Sequence, residues 1–478
     1  MKKLLLSFVL LTASMMCFAQ SIDELQRKAQ RGDSEAQYQL ANKYYNGNGV
    51  PKDLSKALYW YTQAANNGDA NCLLYVANMY NNGEGTAPNY VEAMKWFKRA
   101  AEKGNGKAMN QIGNLYYNGY GVAQDYTEAM RWYKKAVEKD IPVAYSNIGN
   151  MYYDGKGVTQ DYAEAMRWYK MAAEKGNGIA MNQIGNLYYN GYGVTQDYTE
   201  AMRWYKMAAD KGYGSAMNWI GYLYQNGYGV TQDYAEAMRW YKMAADKGNG
   251  AAMNNIGNLY YDGKGVAQDY SEAMRWYKKA VEKDVPVAYS NIGYLYYNGY
   301  GVTQDYTEAM RWYKMAADKG NEVGMNRVGL LYLKGQGVSQ DYAEALNWFR
   351  QAEAKGYVSA INNLGYMYEQ GNGVPQDYQK AFEYYSKAAN KGYIFSKGHL
   401  GEMYYNGWYV TKDYNKAFAL LKEAAEAKNN PSARAMRLLA ACYRYGLGTS
   451  VDAEKDKYWL EKAAEKKDEK AMAVMGID

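Results

Sequence analysis

Apolar residues recur along this chain at two spacings, one nested inside the other. Within a unit such as Ala108 to Lys139 they fall on helical stripes. Met109, Ile112, Gly113 and Tyr116 lie at i, i+3, i+4 and i+7, and Tyr126, Ala129, Met130, Tyr133 and Ala136 repeat the habit. Each unit is therefore predicted to hold two helices, A and B, each with one apolar face. Between them, Gly119 and Gly121 can take backbone angles that a side chain would forbid. Asp125 is placed to cap helix B, and Glu128 stands at its third position, as in a capping box.

The outer spacing is 36 residues: Gly113 returns as Gly149, Gly185 and Gly221, and then at the same interval as far as Gly401. A fixed period of this size means stacked helical pairs, each burying its apolar face on its neighbours. Unit starts fall at Ala36, Cys72, Ala108 and onward to Ser396, and three extra residues near Asn430 then shift the next start to Ala435. The expected fold is all-α, an α/α superhelical solenoid of about twelve 36-residue helix-turn-helix repeats spanning 36–470. A capping helix is expected over 20–35 and a truncated repeat over 471–478. A mid-helix glycine costs about 1 kcal/mol against alanine. A position that bears this cost nine times points to close approach by helix B. The pair of stretches 134–149 and 278–293, four units apart and nearly identical, marks a duplicated block.

The amino end departs from the pattern. Lys2 and Lys3 precede an apolar run ending in Cys17-Phe18-Ala19, which reads as a signal peptide over 1–19 with cleavage after Ala19. Lipidation at Cys17 is a minor alternative. An exported chain, periplasmic or extracellular, with no transmembrane segment after cleavage, is the expectation. The formal charge of +6 falls to +4 once the two lysines leave, too mild to argue for nucleic acid. Cys72 and Cys442 then remain, about ten repeats apart, so no disulfide is expected between them, and Cys442, aligned with the core position of Met403, is expected to be a buried thiol.

Read as one line, the pattern A-x-x-x-[IL]-G-x-x-Y-x-x-G-x-G-V-x-x-D-Y-x-E-A-x-x-W-Y-x-x-A resembles the Sel-one-like repeat (SLR) family, relatives of the tetratricopeptide repeat. Ala108, Ile112, Gly113, Tyr116, Gly119, Gly121, Val122, Asp125, Ala129, Trp132, Tyr133 and Ala136 carry it. The resemblance implies a right-handed α/α superhelix and a role as an adaptor or scaffold for other proteins, with several bacterial members acting in the periplasm or outside the cell.

Catalysis needs one constellation at one place, and repetition argues against it. The Asp125/Glu128 pair recurs in seven units, as a structural cap would. His399 is the single histidine and has no nucleophile beside it in a local motif. Cys/His metal spacing is absent, and the Gly-x-Gly loops follow helices rather than strands. The expectation is a protein that is not an enzyme and needs no cofactor or metal. Arg131 and its counterparts on helix B are expected to pair with glutamates such as Glu128.

The residues left free by core and caps lie on helix A. Asn110, Asn114 and Tyr117 share one side, with counterparts Asn182, Asn186, Tyr189, Asn218, Asn254, Asn258 and Tyr261. By analogy with tetratricopeptide arrays this side lines a concave groove. Its amides can both donate to and accept from a peptide backbone, and its tyrosines add flat apolar area with a polar end. A protein or extended peptide is the expected partner, a glycan or peptidoglycan the alternative. Arg327, Lys334, Glu369, His399 and Glu402 break the repetition and are expected to confer specificity.

Overall fold

In the computed structural model, residues 22–429 and 431–475 are described; the expected signal peptide lies outside them. A first helix occupies 22–30 and helical pairs follow one another thereafter, with no strand among the described residues. The chain divides into two compact units, one ending at Lys247 and one beginning at Gly248. No helix of the described residues is long and apolar enough to cross a membrane.

Repeat 3 shows how the sequence builds each pair. Helix A runs Gly106–Asn118 and begins where the Asn105 side chain accepts from the Ala108 N–H. It ends at Gly119, which turns left-handed at φ 72° and returns its N–H to Leu115. Gly121 is also left-handed, at φ 70°, and a Cβ there would lie 2.6 Å from the Tyr90 carbonyl carbon of the preceding repeat. Helix B, Tyr126–Val137, then starts on Asp125, whose carboxylate accepts from the Thr127 and Glu128 N–H groups.

The cap is only half of the expected box. The Asp125 N–H donates to the Tyr116 carbonyl at 3.0 Å, so no donor is left for Glu128 to satisfy. Glu128 instead pairs with Arg131 at 3.2 Å on the exposed face, as Glu164 pairs with Arg167 and Glu272 with Arg275.

The core of repeat 3 joins Ala108, Ile112 and Leu115 of helix A to Ala129, Met130, Tyr133 and Ala136 of helix B, all buried. Leu115 lay outside the stripe read from sequence; Tyr116, inside it, is only half-buried. Full burial of each large side chain contributes about 1.5–3 kcal/mol. The close approach at Gly113 is made by one ring: a Cβ on Gly113 would lie 2.5 Å from Tyr133 Cε1. Cys72 and Cys442 are free and buried, and burial pushes both thiols up, Cys442 to about 11.

Candidate functional site

The helix A asparagines are divided between two internal tasks. Asn114 takes the hydroxyl of the ring that covers Gly113: Tyr133 donates to its Oδ1 at 2.9 Å. Tyr205 does the same to Asn186 at 2.8 Å, and Tyr277 to Asn258 at 2.9 Å. Where this position carries Tyr294 instead, the buried Tyr313 hydroxyl has no partner. Asn110, Asn182 and Asn254 are buried, each 5% exposed. They face the next repeat: Asn147 donates to Asn110 and Asn291 to Asn254, both at 2.9 Å. At the equivalent place the next repeat carries Trp219 in place of an asparagine, and the Asn182 Oδ1 is buried without a partner. The amide ladder therefore acts first as a zipper between repeats, because each buried amide needs a partner to offset its desolvation.

The tyrosines stay half-buried. The Tyr117 hydroxyl accepts from Lys156 Nζ at 2.9 Å. Tyr189 packs against Trp219 and Tyr198 with centroids 5.1 and 5.3 Å away. Tyr261 does so against Tyr270 and Tyr294, and burial raises the phenol pKa of both Tyr189 and Tyr261. Asn218 is half-buried on its helix, Arg327 lies over the Tyr294 ring at 5.7 Å, and Lys334 is exposed at the end of its helix.

Open space on the helix A side is found at both ends of the array: a cavity of about 430 Å³ lies among Tyr366, Gln370, Glu402, Arg434 and Arg437 of the C-terminal repeats, and a larger connected space lies in repeats 1 to 4. Three cavities adjoin there. One of about 550 Å³ lies among Asn42, Tyr45, Asn78 and Glu84. A second of about 490 Å³ lies among Glu35, Tyr38, Asp69 and Tyr75. The third, about 460 Å³ and mostly apolar, lies among Leu74, Gln111, Ile141 and Val143 and includes Asn110. Neighbouring cavities share Leu74, Tyr75, Asn78, Lys107, Gln111 and Ile141, so they form one groove. At its centre Tyr75 stacks on Tyr61 with centroids 5.2 Å apart and remains 44% exposed.

Comparison with known proteins places this architecture. The Sel1 repeat matches twelve times in succession, from 34–69 to 433–468. The chain belongs to the Sel1 repeat family. Repeats of this family generally act as protein-interaction modules. Among solved structures, the chain is similar to c5321, a protective antigen of uropathogenic Escherichia coli with an SLR fold. The two share 31% identity over 95% of this chain and 97% of that one, with a TM-score of 0.57. A Sel1 repeat protein from Oxalobacter formigenes is 38% identical over 51% of this chain and 99% of its own, with a TM-score of 0.48. No curated protein matches.

Aligning the Sel1 repeats isolates one variable helix A position. It reads Tyr75, Gln111, Trp219, Arg327, Asn363 and His399 in six of them, while the core positions around it barely change. Sequence reasoning singled out Arg327 and His399 but not the others, because only the structure shows that Tyr75 and Gln111 face open space.

The C-terminal exceptions come together through a residue the sequence did not mark. Arg434, from helix A of repeat 12 (Ala433–Tyr445), donates to Glu369 at 2.9 Å and pairs with Glu402. Tyr385 donates to Glu369 at 2.6 Å and stacks on His399, ring centroids 4.3 Å apart. His399 Nδ1 lies 3.2 Å from Glu369 Oε2 and 3.0 Å from Arg434 Nη1. Burial opposes ionisation of Glu369, but the His399 hydrogen bond, the Arg434 charge and the Tyr385 hydroxyl outweigh it and hold its carboxyl at about 2. Burial also depresses the His399 pKa. Arg327 and Lys334 take no part in this cluster.

Proposed function

We propose that this Sel1 repeat protein is an exported, non-enzymatic scaffold that holds a segment of another protein along the helix A side of repeats 1 to 4. The observation that carries the reading is the continuous groove around Tyr75. It alternates aromatic and aliphatic walls with the amides of Asn42, Asn78 and Gln111. Such amides can pair with a peptide backbone whatever its side chains, and an exposed ring at the centre of a groove is the usual form of an energetic anchor. Asn110, which lines the apolar cavity, is held in place by Asn147 of the next repeat. The expected signal peptide and the similarity to a protective antigen support export. The acid pairs and the single histidine have structural partners, which supports a binding role over catalysis.

The test is photocrosslinking in the native host from Gln111, with identification of the captured segment, alongside fractionation and amino-terminal sequencing for a mature start at Gln20. Tyr75→Ala is expected to weaken capture by about 2 kcal/mol, roughly thirtyfold, without changing the helical circular dichroism. Undiminished capture would remove the groove from the account. A glycan reading has one specific observation behind it, the aromatic group of Trp219, Tyr189 and Tyr222 on helix A. Retention on insoluble peptidoglycan that is lost in Trp219→Ala would favour it.

A further inference from the structure

The groove brings several acids together with a single cation. On helix B, first-turn glutamates are mostly neutralised locally, as Glu92 is by Lys95 at 2.6 Å and Glu308 by Arg311 at 2.6 Å, while acids nearer the helix end, such as Glu102 and Glu174, make no ion pair among the described residues. Glu35, Asp69 and Glu84, which line the groove, have no ion-pair partner among the described residues. Their hydrogen bonds come from neutral groups. Gln39 donates to Glu35 at 2.8 Å, the Asn71 N–H donates to Asp69 at 2.8 Å, and the Tyr45 hydroxyl donates to Glu84 at 2.9 Å. Lys107 is the only cation among the residues lining the three cavities, so the lining carries an excess of negative charge in a chain whose formal charge is +6. Lys52 stands 6.0 Å from the Tyr45 ring and makes no ion pair among the described residues.

Each acidic cavity also has an aromatic wall. Glu35 and Asp69 share theirs with Tyr38 and the exposed Tyr75; Glu84 shares its cavity with Tyr45 and Tyr61. A carboxylate beside a tyrosine face suits an ammonium or guanidinium on an apolar stem, since the ring quadrupole and the acid both attract the cation while the ring covers the methylenes. The third cavity, with Leu74, Ile141, Pro142 and Val143, suits an uncharged apolar side chain.

We propose that the groove takes an extended polypeptide segment in which lysine or arginine side chains flank an apolar one. The two cations enter the Glu35/Asp69 and Glu84 cavities, and the apolar side chain enters the cavity against Leu74 and Ile141. This rests on the peptide-holding reading above and adds the chemistry of the occupant. Asn78 and Gln111, placed where cavities meet, are the groups that hold the backbone between these side chains.

Fluorescent peptides with a Lys-Leu-Lys centre between Gly/Ser flanks, and their Gln-Leu-Gln and Glu-Leu-Glu counterparts, provide the test on the full chain. The lysine peptide is expected to bind at least about tenfold more tightly than the glutamine peptide, with the difference shrinking as salt rises. The double variant Glu35→Gln, Glu84→Gln keeps the acceptors used by Gln39 and Tyr45, leaves Asp69 as the one lining acid, and is expected to reduce the preference at least about threefold while leaving thermal unfolding unchanged. Equal binding of lysine and glutamine peptides, or a preference undiminished in the double variant, would overturn the inference. So would competition by free spermidine as effective as the peptide itself. Glutamine-peptide binding that is lost in Tyr75→Ala would leave the groove reading standing and remove only the charge preference. Failure of every peptide to bind, with no crosslink from position 111, would remove both.

Discussion

Gly185 carries no side chain because Tyr205 occupies the space: a Cβ there would lie 2.5 Å from Tyr205 Cε1. The tyrosine then reaches over the glycine to donate to Asn186. Gly185→Ala gains about 1 kcal/mol of helix propensity but overpacks a fixed ring, which costs about 1–3 kcal/mol. We expect a net loss of about 1 kcal/mol, read as a lower urea midpoint for the unit that ends at Lys247. Repeat 12 pairs Ala440 with Leu460 at these positions, both buried. Tyr205→Leu should therefore cost less in the Gly185→Ala background than alone, a coupling that a double-mutant cycle measures. The reason for the glycine could be read from sequence, since a cost borne in nine units needs a common cause. The burial of Asn110 could not, because its partner Asn147 lies in the next repeat and depends on the register between the two.

At the scale of the helix, the same residues can be separated into those that cap and those that decorate. Asp197 accepts from the N–H groups of Thr199 and Glu200, which sequence spacing anticipates. Its own N–H donates to the Tyr188 carbonyl at 2.9 Å, so Glu200 has no capping bond to make and pairs with Arg203 in solvent at 3.0 Å. Asp197→Ala should cost about 1 kcal/mol, as loss of an N-cap does. Glu200→Gln should change stability by less than about 0.5 kcal/mol, since exposed pairs of this kind contribute little. Urea midpoints of the two variants separate a true cap from a box, because a reciprocal box would make both costly. The two-helix unit and its turn were legible because Asp125, Gly119 and Gly121 each meet a local demand. The half-box was not, because the competing acceptor sits at the end of helix A, outside any spacing rule.

Across the whole molecule, the repeats share a frame but differ at the helix A side, and the two units differ accordingly. In the first unit the variable positions surround open space beside Tyr75 and Gln111. In the second, Glu369, His399 and Glu402 turn inward onto Arg434, so residues expected to confer specificity are used for cohesion between repeats 10, 11 and 12. Their exceptional character was legible in the sequence; their destination was not, since it depends on Arg434, which follows the insertion near Asn430 and belongs to no repeat pattern. This cluster gives the second unit a pH dependence of known sign. His399 has a folded pKa below its ordinary 6.5, and Glu369 has one near 2 against an ordinary 4.5. In both cases the unfolded chain binds more protons, so the stability they contribute is complete above the ordinary values and is lost as pH falls. Loss should begin below pH 6.5 through His399 and steepen between about 4.5 and 2 through Glu369. Pulsed hydrogen exchange at a common labelling pH, after equilibration in urea at a series of pH values, should show residues 358–445 opening before the groove repeats as acid is added. Glu369→Gln should flatten the lower window and His399→Gln the upper one. An acid response equal in both units, unchanged in either variant, would mean that ordinary surface carboxylates govern acid unfolding and that the cluster contributes no pH dependence of its own.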